Sequence, residues 1–260
     1  MTTPFLPPLK LGLISAMAQE QAGLIDGMQN QQTVNRGMRD YVQGRLWDTE
    51  CVCVLSRLGK VAAAATAATL IERFGVTHIL FTGVAGAADQ AVQVGDIVIA
   101  EQLVQHDMDA SPLFPRFQIP LIGLSHFVAD AALTDKVAAA VNIFLDRDFA
   151  LAIGGADQHQ FKIRNPRVHR GLIASGDEFI DSRTKLAELK QALPGLLAVE
   201  MEGAAVAQVC FEFGVPFTVI RTISDGANED APVEFMQFIE RVAARYAFGI
   251  VRRLCRVTEN

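Results

Sequence analysis

The residues best suited to chemistry are three carboxylic acids that follow predicted buried strands. Glu20 comes after the first apolar run of the chain, Glu202 after a later one, and Asp225 after the last. An ionised carboxylate accepts paired hydrogen bonds, and a buried one can hold a proton because burial raises its pKa. In open α/β sheets, ligands bind outside the carboxyl ends of the strands. The three side chains are therefore candidates for one site.

Glu202 has a neighbouring acid, since Glu200 and Glu202 flank Met201 between an apolar strand and the small-residue segment 203–207. One interpretation is that both acids start a helix, where the macrodipole stabilises a negative charge by about 0.3 to 1 kcal/mol. The other is that one of them accepts hydrogen bonds from the vicinal hydroxyls of a ribose. The pattern leaves both interpretations open.

Asp225 and Glu20 are also ambiguous from the local sequence. Gly226 lets the chain turn away after Asp225, which can cap a helix, pair with Arg221, or act as a proton donor whose pKa is raised by burial. Glu20 has the weakest local pattern, because a glutamate in the first turn of a helix is common. Neither residue identifies a site by its neighbours alone.

Two other motifs argue against a cofactor or a metal. The segment 82–86 (TGVAG) allows close approach of a ligand to the backbone, but it is neither a phosphate loop nor a full dinucleotide-binding fingerprint. His106, Asp107 and Asp109 are one histidine and two acids with no second cluster, which favours an internally hydrogen-bonded loop over a metal site. We expect no cofactor and no metal.

The elements that must position these residues alternate along the chain. Short apolar runs bounded by small residues predict strands. They lie at residues 11–15, 52–55, 78–82, 96–100, 171–174, 197–199 and 217–220. Ala-rich or apolar periodic stretches predict helices at residues 60–74, 199–213 and 235–255, the first followed by Gly75 and the second by Gly214. This alternation predicts an α/β sheet covered by helices on both faces.

Two stretches depart from the alternation. Residues 105–123 contain three prolines and no clean period, which predicts a long ordered loop. Residues 146–166 are rich in Gly, Gln, Asp and Arg, which predicts a surface excursion. We expect residues 1–260 to form a single domain, because this length with 50% hydrophobic residues can bury one large core.

Charge and apolar patterning exclude several classes of protein. A formal charge of −6 without basic clusters argues against nucleic acid as a partner. No apolar run approaches the roughly 20 residues of a membrane span, and the first residues lack the pattern of a signal peptide. We therefore expect a cytoplasmic protein. The four cysteines, at positions 51, 53, 210 and 255, lie in apolar surroundings without C-x-x-C spacing and are predicted to be reduced core residues.

Eight segments, taken in order, carry a family resemblance. They are 12–20 (GLISAMAQE), 58–64 (LGKVAAA), 82–86 (TGVAG), 94–98 (VGDIV), 106–109 (HDMD), 174–180 (ASGDEFI), 199–202 (VEME) and 221–225 (RTISD). Together they resemble the methylthioadenosine/S-adenosylhomocysteine nucleosidases of the purine nucleoside phosphorylase superfamily. The resemblance spans nearly the whole chain. It implies a three-layer αβα fold with a central mixed sheet flanked by helices.

The resemblance also implies a role for each acid. Glu20 matches the glutamate that holds and activates the attacking water, and Asp225 matches the aspartate that protonates N7 of adenine. Glu202 matches the acid that binds the ribose hydroxyls, with Met201 beneath the sugar.

Further matching positions complete the implied substrate site. Phe179 should stack on the base, the backbone of Ile180 should read its amino edge, and Gly86 belongs to the matching glycine segment. The remaining matches are Met17, Leu58 and Phe235 in an apolar pocket for the 5′-alkylthio group, and Arg221 and Ser224 in support of the water and of Asp225.

The expected reaction is hydrolysis of the N-glycosidic bond of 5′-methylthioadenosine and S-adenosylhomocysteine, and of 5′-deoxyadenosine as a further candidate. A phosphorylase of the same fold is the nearest competing hypothesis, but Glu20 would repel phosphate and Val84 offers it no hydroxyl. A futalosine-type or adenosine-type hydrolase and a non-catalytic nucleoside-binding protein also stay open. The resemblance of residues 58–64 and of the loop after His106 to subunit contacts of the family implies a homodimer.

Overall fold

The computed structural model describes residues 9–256, which form a ten-stranded mixed sheet with helices on both sides. In chain order the strands are β1 (Lys10–Ser15), β2 (Gln29–Arg36), β3 (Arg39–Leu46), β4 (Thr49–Leu55), β5 (His78–Ala87), β6 (Ile97–Gln105), β7 (His126–Val128), β8 (Val168–Ser175), β9 (Leu196–Glu200) and β10 (Phe217–Asp225). The α-helices are α1 (Ala18–Gln21), α2 (Lys60–Phe74), α3 (Ala131–Ile143), α4 (Phe149–Ala152), α5 (Gly155–Gln160), α6 (Arg183–Ala192), α7 (Gly203–Phe213), α8 (Ala231–Phe238) and α9 (Ala244–Cys255).

The strand order closes part of the sheet on itself. Strand β5 pairs in parallel with β1 and with β10, and antiparallel with β9. Strands β10, β6, β8 and β9 pair in succession, so the path that leaves β5 through β10 returns to it through β9. The other side of β5 continues through β1, β4, β3 and β2. This topology brings the ends of β1, β9 and β10 to the long central strand β5.

Alternating side chains of the strands build one core on each face of the sheet. In β4, Val52 and Val54 belong to the core that includes residues of α2 and α7, whereas Cys51 and Cys53 belong to the core that includes residues of α3 and α9. This alternation is the period-2 pattern of a strand buried on both sides. The three-layer αβα architecture with a mixed central sheet is confirmed.

Helix α2 matches its prediction at both ends. Its buried residues Ala63, Ala67, Leu70 and Phe74 are three or four positions apart and form one face against the sheet. It ends at Gly75, which adopts the left-handed conformation with φ 61°.

The helix predicted at 199–213 begins later, because Val199 and Glu200 belong to strand β9. Val199 pairs with Gly86 of β5 and Glu200 with Ser175 of β8. The helix predicted at 235–255 begins earlier, at Ala231, and the π-helical turn Ile239–Ala243 joins α8 to α9.

The two stretches that were predicted to be irregular differ from each other in the structure. Residues 106–125 contain no helix or strand, so the predicted long loop is confirmed. Residues 146–166 lie mostly at the surface, as predicted, but they are not irregular, because this stretch contains α4 and α5 and buries Phe149, Ile153, Asp157 and Ile163. Helices of four and six residues are too short to show a period in the sequence.

The four cysteines are free and buried, as predicted. Within residues 9–256, no helix is both long enough and apolar enough to cross a membrane.

Candidate active site

A cavity lies where the ends of β1, β5, β9 and β10 meet. Ten of the twelve predicted site residues line it, namely Met17, Glu20, Leu58, Gly86, Phe179, Ile180, Met201, Glu202, Asp225 and Phe235. The other two, Arg221 and Ser224, are fully buried and hydrogen-bond to acids of the lining. The structure therefore brings all twelve residues to one place, although their roles stay predictions.

Glu20 is held rigidly by backbone N–H groups. It lies in the short helix α1, and its Oε2 accepts hydrogen bonds from the N–H groups of Ala16 and Met17, both at 2.8 Å. Its Oε1 accepts from the N–H of Val84 at 3.1 Å. A Cβ at Gly83 would lie 2.8 Å from Oε1, so the glycine leaves room for this carboxylate.

Burial and the neighbouring positive or donor groups shift the pKa of Glu20 in opposite directions. Burial raises the pKa of Glu20, while nearby Arg221 and the three N–H donors lower it, and burial dominates. The result is a carboxylate of fixed orientation that is more basic than an exposed glutamate.

Asp225 ends strand β10 with two local hydrogen bonds. The Ser224 hydroxyl donates to Oδ2 at 2.6 Å, and the N–H of Ala227 donates to Oδ1 at 2.9 Å. A Cβ at Gly86 would lie 2.8 Å from Oδ1, so this glycine admits Asp225 to the cavity wall. Burial raises the pKa of Asp225 despite both donors. The interpretation of Asp225 as an ion-pair partner of Arg221 is wrong, because Arg221 pairs with Glu200.

Glu200 is the last residue of strand β9, and its side chain binds the N–H groups at the start of helix α7. Its oxygens accept from the N–H groups of Glu202 and Gly203, from the Ser175 hydroxyl, and from the Arg221 guanidinium at 2.5 Å. Arg221 is 1% exposed and stacks 4.2 Å from the Phe81 ring centroid. The helix-start interpretation therefore applies to Glu200.

Glu202 has a different environment. Its Oε1 accepts from the N–H of Gly59 at 2.9 Å, and its other oxygen makes no hydrogen bond to any residue in 9–256. Burial, followed by the neighbouring Glu200, raises the pKa of Glu202 to about 8. A buried acid with an unused oxygen on the cavity is suited to receive polar groups of a ligand.

Apart from Glu178, the remaining side chains of the lining are apolar. The rings of Phe179 and Phe235 meet edge to face with centroids 5.7 Å apart, and Phe179 is 40% exposed. Ile180 follows Phe179 and is buried. Met17 and Leu58 form another part of the wall. Flat rings beside a small set of acids fit a ligand that is partly aromatic and partly polar.

Several lining residues were not singled out from the sequence. Ala16, Ala85, Glu178 and Val199 line the cavity, and each lies in or beside a segment that carries the family resemblance. The resemblance marks these segments, but only the fold shows which of their residues face the cavity.

The loop after β6 is held by local and long-range hydrogen bonds. Asp109 accepts from the N–H of Ser111, and Asp107 pairs with Lys60. No group of three His, Cys, Asp or Glu residues is arranged to hold a metal ion anywhere in the described part of the chain.

Comparisons with known proteins agree with this geometry. The family model described as Phosphorylase superfamily matches residues 10–256. A 5′-methylthioadenosine/S-adenosylhomocysteine nucleosidase of Staphylococcus saprophyticus is 36% identical over 247 residues, covering 95% of this chain and 99% of the relative. The Bacillus pumilus protein of the same name is 33% identical over 252 residues, covering 96% and 100%.

Solved structures show the same similarity. The Neisseria meningitidis nucleosidase in complex with methylthio-immucillin-A has a TM-score of 0.82 at 32% identity, covering 94% of this chain and 97% of that chain. A futalosine hydrolase of Helicobacter pylori has a TM-score of 0.80 at 31% identity, with coverage of 94% and 97%.

Proposed function

This chain belongs to the 5′-methylthioadenosine/S-adenosylhomocysteine nucleosidases of the phosphorylase superfamily, and we propose from this premise that it hydrolyses the N-glycosidic bond of both nucleosides. The products are adenine and the 5′-substituted ribose. The observation that carries the proposal is the placement of Glu20, Glu202 and Asp225 on one cavity with different hydrogen-bond partners.

Asp225 supplies the acid. Adenine is a poor leaving group as an anion, so a proton delivered to N7 lets it leave as a neutral base while the sugar becomes oxocarbenium-like. Burial raises the pKa of Asp225, which favours the protonated form that the donor must have.

Glu20 supplies the base. Water is a weak nucleophile, and a carboxylate that removes its proton makes attack on the sugar carbon feasible. The three backbone N–H donors fix both oxygens of Glu20, so the carboxylate needs no reorientation to meet a water. A raised pKa also makes Glu20 a stronger base.

Glu202 anchors the ribose. Its free oxygen can accept from the vicinal hydroxyls, and such donors favour its ionised form and oppose the effect of burial on its pKa. Met201 lies next to it on the lining, where it can pack beneath the sugar.

Hydrolysis is favoured over phosphorolysis by the charge of the cavity. The lining residues of the described chain include no lysine or arginine, and Arg221 behind the wall is already paired with Glu200. Glu20 would repel phosphate, and Val84 contributes only apolar side-chain atoms. A phosphate ion would find no unpaired cation on this wall.

The 5′ end of the substrate meets Met17, Leu58 and Phe235, which suit an alkylthio group. A futalosine-type nucleoside is a second candidate substrate, because the Helicobacter pylori neighbour of similar fold is a futalosine hydrolase. A panel of methylthioadenosine, S-adenosylhomocysteine, 5′-deoxyadenosine and futalosine would rank the 5′ groups.

Adenine release from methylthioadenosine tests the proposal. Wild-type protein should release adenine without phosphate, and Glu20→Gln and Asp225→Asn should each lower kcat by about 10² to 10⁴, the usual value of one general acid or base. A rate that requires phosphate would indicate a phosphorylase. Nucleoside binding without release would indicate a binding protein.

We also propose that the protein is a homodimer, and cytoplasmic. Leu58, Val61 and Leu113 are more than half exposed, and the Lys60–Asp107 ion pair joins the two regions that carry them. A partner subunit would cover this apolar surface. Light scattering at micromolar concentration should give twice the chain mass, and a monomer would contradict the proposal.

A further inference from the structure

Lys60 does not line the cavity, yet it connects the parts of the chain that do. As the first residue of α2, it donates its backbone N–H to Asp177 Oδ1 at 2.7 Å. Its Nζ donates to Asp107 Oδ1 at 2.6 Å and to Gln105 Oε1 at 3.0 Å. One residue therefore joins the start of α2 to the loops after β6 and β8.

Asp107 hydrogen-bonds to both of the other residues in this connection. Its Oδ2 accepts the N–H of Asp177 at 2.9 Å, while its Oδ1 accepts from Lys60. Lys60, Asp107 and Asp177 therefore form a ring of three hydrogen bonds, which we name the 60–107–177 cluster. Each member contacts the other two, so the loss of one partner loosens both loops.

The cluster lies between two groups that hold the substrate in the proposed reaction. Gly59, directly before Lys60, donates its N–H to Glu202, the ribose anchor. Phe179 and Ile180, on the base side, follow Asp177 by two and three residues. The cluster therefore links the two groups.

From this geometry we propose that Lys60 and Asp107 are positioning residues, which hold the base-stacking loop 176–180 at a fixed distance from the ribose anchor Glu202. The inference rests on the proposed function. Holding base and sugar in fixed relative positions lowers the entropy lost when the nucleoside binds.

The charges in the 60–107–177 cluster favour an ion pair that persists at neutral pH. Burial alone would raise the pKa of Asp107, but the Lys60 ammonium and the Asp177 N–H outweigh it and hold the pKa below its ordinary value. Asp107 therefore stays ionised at neutral pH. The side chains of Lys60 and Asp107 are 15% and 27% exposed, so water screens their ion pair only in part.

The first test is Asp107→Asn, which keeps the shape of the side chain but turns a donor toward Lys60 or toward the Asp177 N–H. We expect KM for methylthioadenosine to rise about tenfold with kcat within about twofold, the pattern of lost binding common to ground state and transition state. The Kd of adenine, measured by calorimetry, should weaken by a similar factor, since adenine reports on the base-stacking loop without the ribose.

The matched control is Asp148→Asn, because Asp148 pairs with Arg252 and Arg253 and does not line the cavity. It should change thermal stability without changing KM or the adenine Kd. If Asp107→Asn behaves like this control, the cluster is merely structural and the inference is wrong.

Lys60→Met gives a second variant that removes the ammonium and keeps the backbone N–H to Asp177. Residues that act as one unit give non-additive effects, so the double variant should raise KM no more than the larger single effect. Independent, multiplying effects would overturn the inference. Failure of the wild type to release adenine would overturn the proposed function instead, because the adenine Kd still tests the cluster.

Discussion

At the scale of single residues, Ser224 hydrogen-bonds to Asp225, the proposed proton donor. The Ser224 hydroxyl donates to Asp225 Oδ2 and so favours the ionised carboxylate, which opposes the rise in pKa caused by burial. Ser224→Ala should raise the pKa of Asp225 further. Because a general acid must be protonated, the loss of kcat at high pH should move to higher pH.

The profile of kcat against pH measures this shift. Ser182→Ala is the matched control, since Ser182 accepts a hydrogen bond at the start of α6 and its loss should leave the profile unchanged. If the profile of Ser224→Ala is not shifted, the loss of kcat at high pH is caused by a group other than Asp225.

At the same scale, the carboxylates show what the sequence does and does not determine. Their position after buried strands is visible in the sequence, and so is the set of segments that resembles the family. Which of Glu200 and Glu202 keeps an unused carboxylate oxygen on the cavity is not visible, because Arg221, Ser175 and Gly59 all come from distant parts of the chain. Tertiary partners, not local pattern, assign these two acids.

At the scale of elements, the start of α2 depends on Gly59. This residue has φ 92°, and a Cβ on it would lie 2.9 Å from Asp177 Oδ1. Gly59→Ala should therefore cost about 1 to 3 kcal/mol of backbone strain. It should also displace the N–H that binds Glu202, and so raise KM for methylthioadenosine.

Gly75→Ala provides the comparison at the other end of the same helix. Gly75 also has positive φ, 61°, but a Cβ there meets nothing within 4 Å. This variant should lower the free energy of unfolding without changing KM. Equal KM values for both variants would show that the start of α2 does not contribute to substrate binding.

Strands that form a continuous apolar run are the elements that the sequence predicts, whereas helices α3 and α6 were missed although they have 13 and 10 residues. The seven predicted strands all exist, whereas β2, β3 and β7 were missed. The residues of β2 are almost all exposed and polar and show no alternation. Helix α2 has both an apolar face and a terminal glycine, and its bounds are as predicted. Where a helix has only four to six residues, as in α4 and α5, tertiary packing decides its structure.

At the scale of the whole molecule, the closed path of β5, β10, β6, β8 and β9 explains how the acids meet. Glu20 follows β1 and Asp225 ends β10, and both strands pair with β5 in parallel. Glu202 follows β9, which reaches β5 from the other end of the closed path. Residues about 200 positions apart therefore share one cavity through the register of a single central strand.

The burial of Glu202 should make the free energy of unfolding depend on pH. Its pKa is about 8 in the folded protein against 4.5 ordinarily, so the folded state binds this proton more tightly than the unfolded state does. The stabilisation is complete below pH 4.5 and is lost as pH rises through 8. The free energy of unfolding should fall across this window by up to about 1.4 kcal/mol per pH unit.

Glu202→Gln removes the titrating group while keeping the acceptor for the Gly59 N–H. In urea unfolding at fixed protein concentration, the variant should lose this fall in stability, so its advantage over wild type should grow from about pH 5 to about pH 8. Glu188→Gln, on the exposed face of α6, should follow the wild-type pH dependence. Parallel curves for Glu202→Gln and wild type would mean that Glu202 is ionised in the free protein, because only a proton held by the folded state produces the predicted slope.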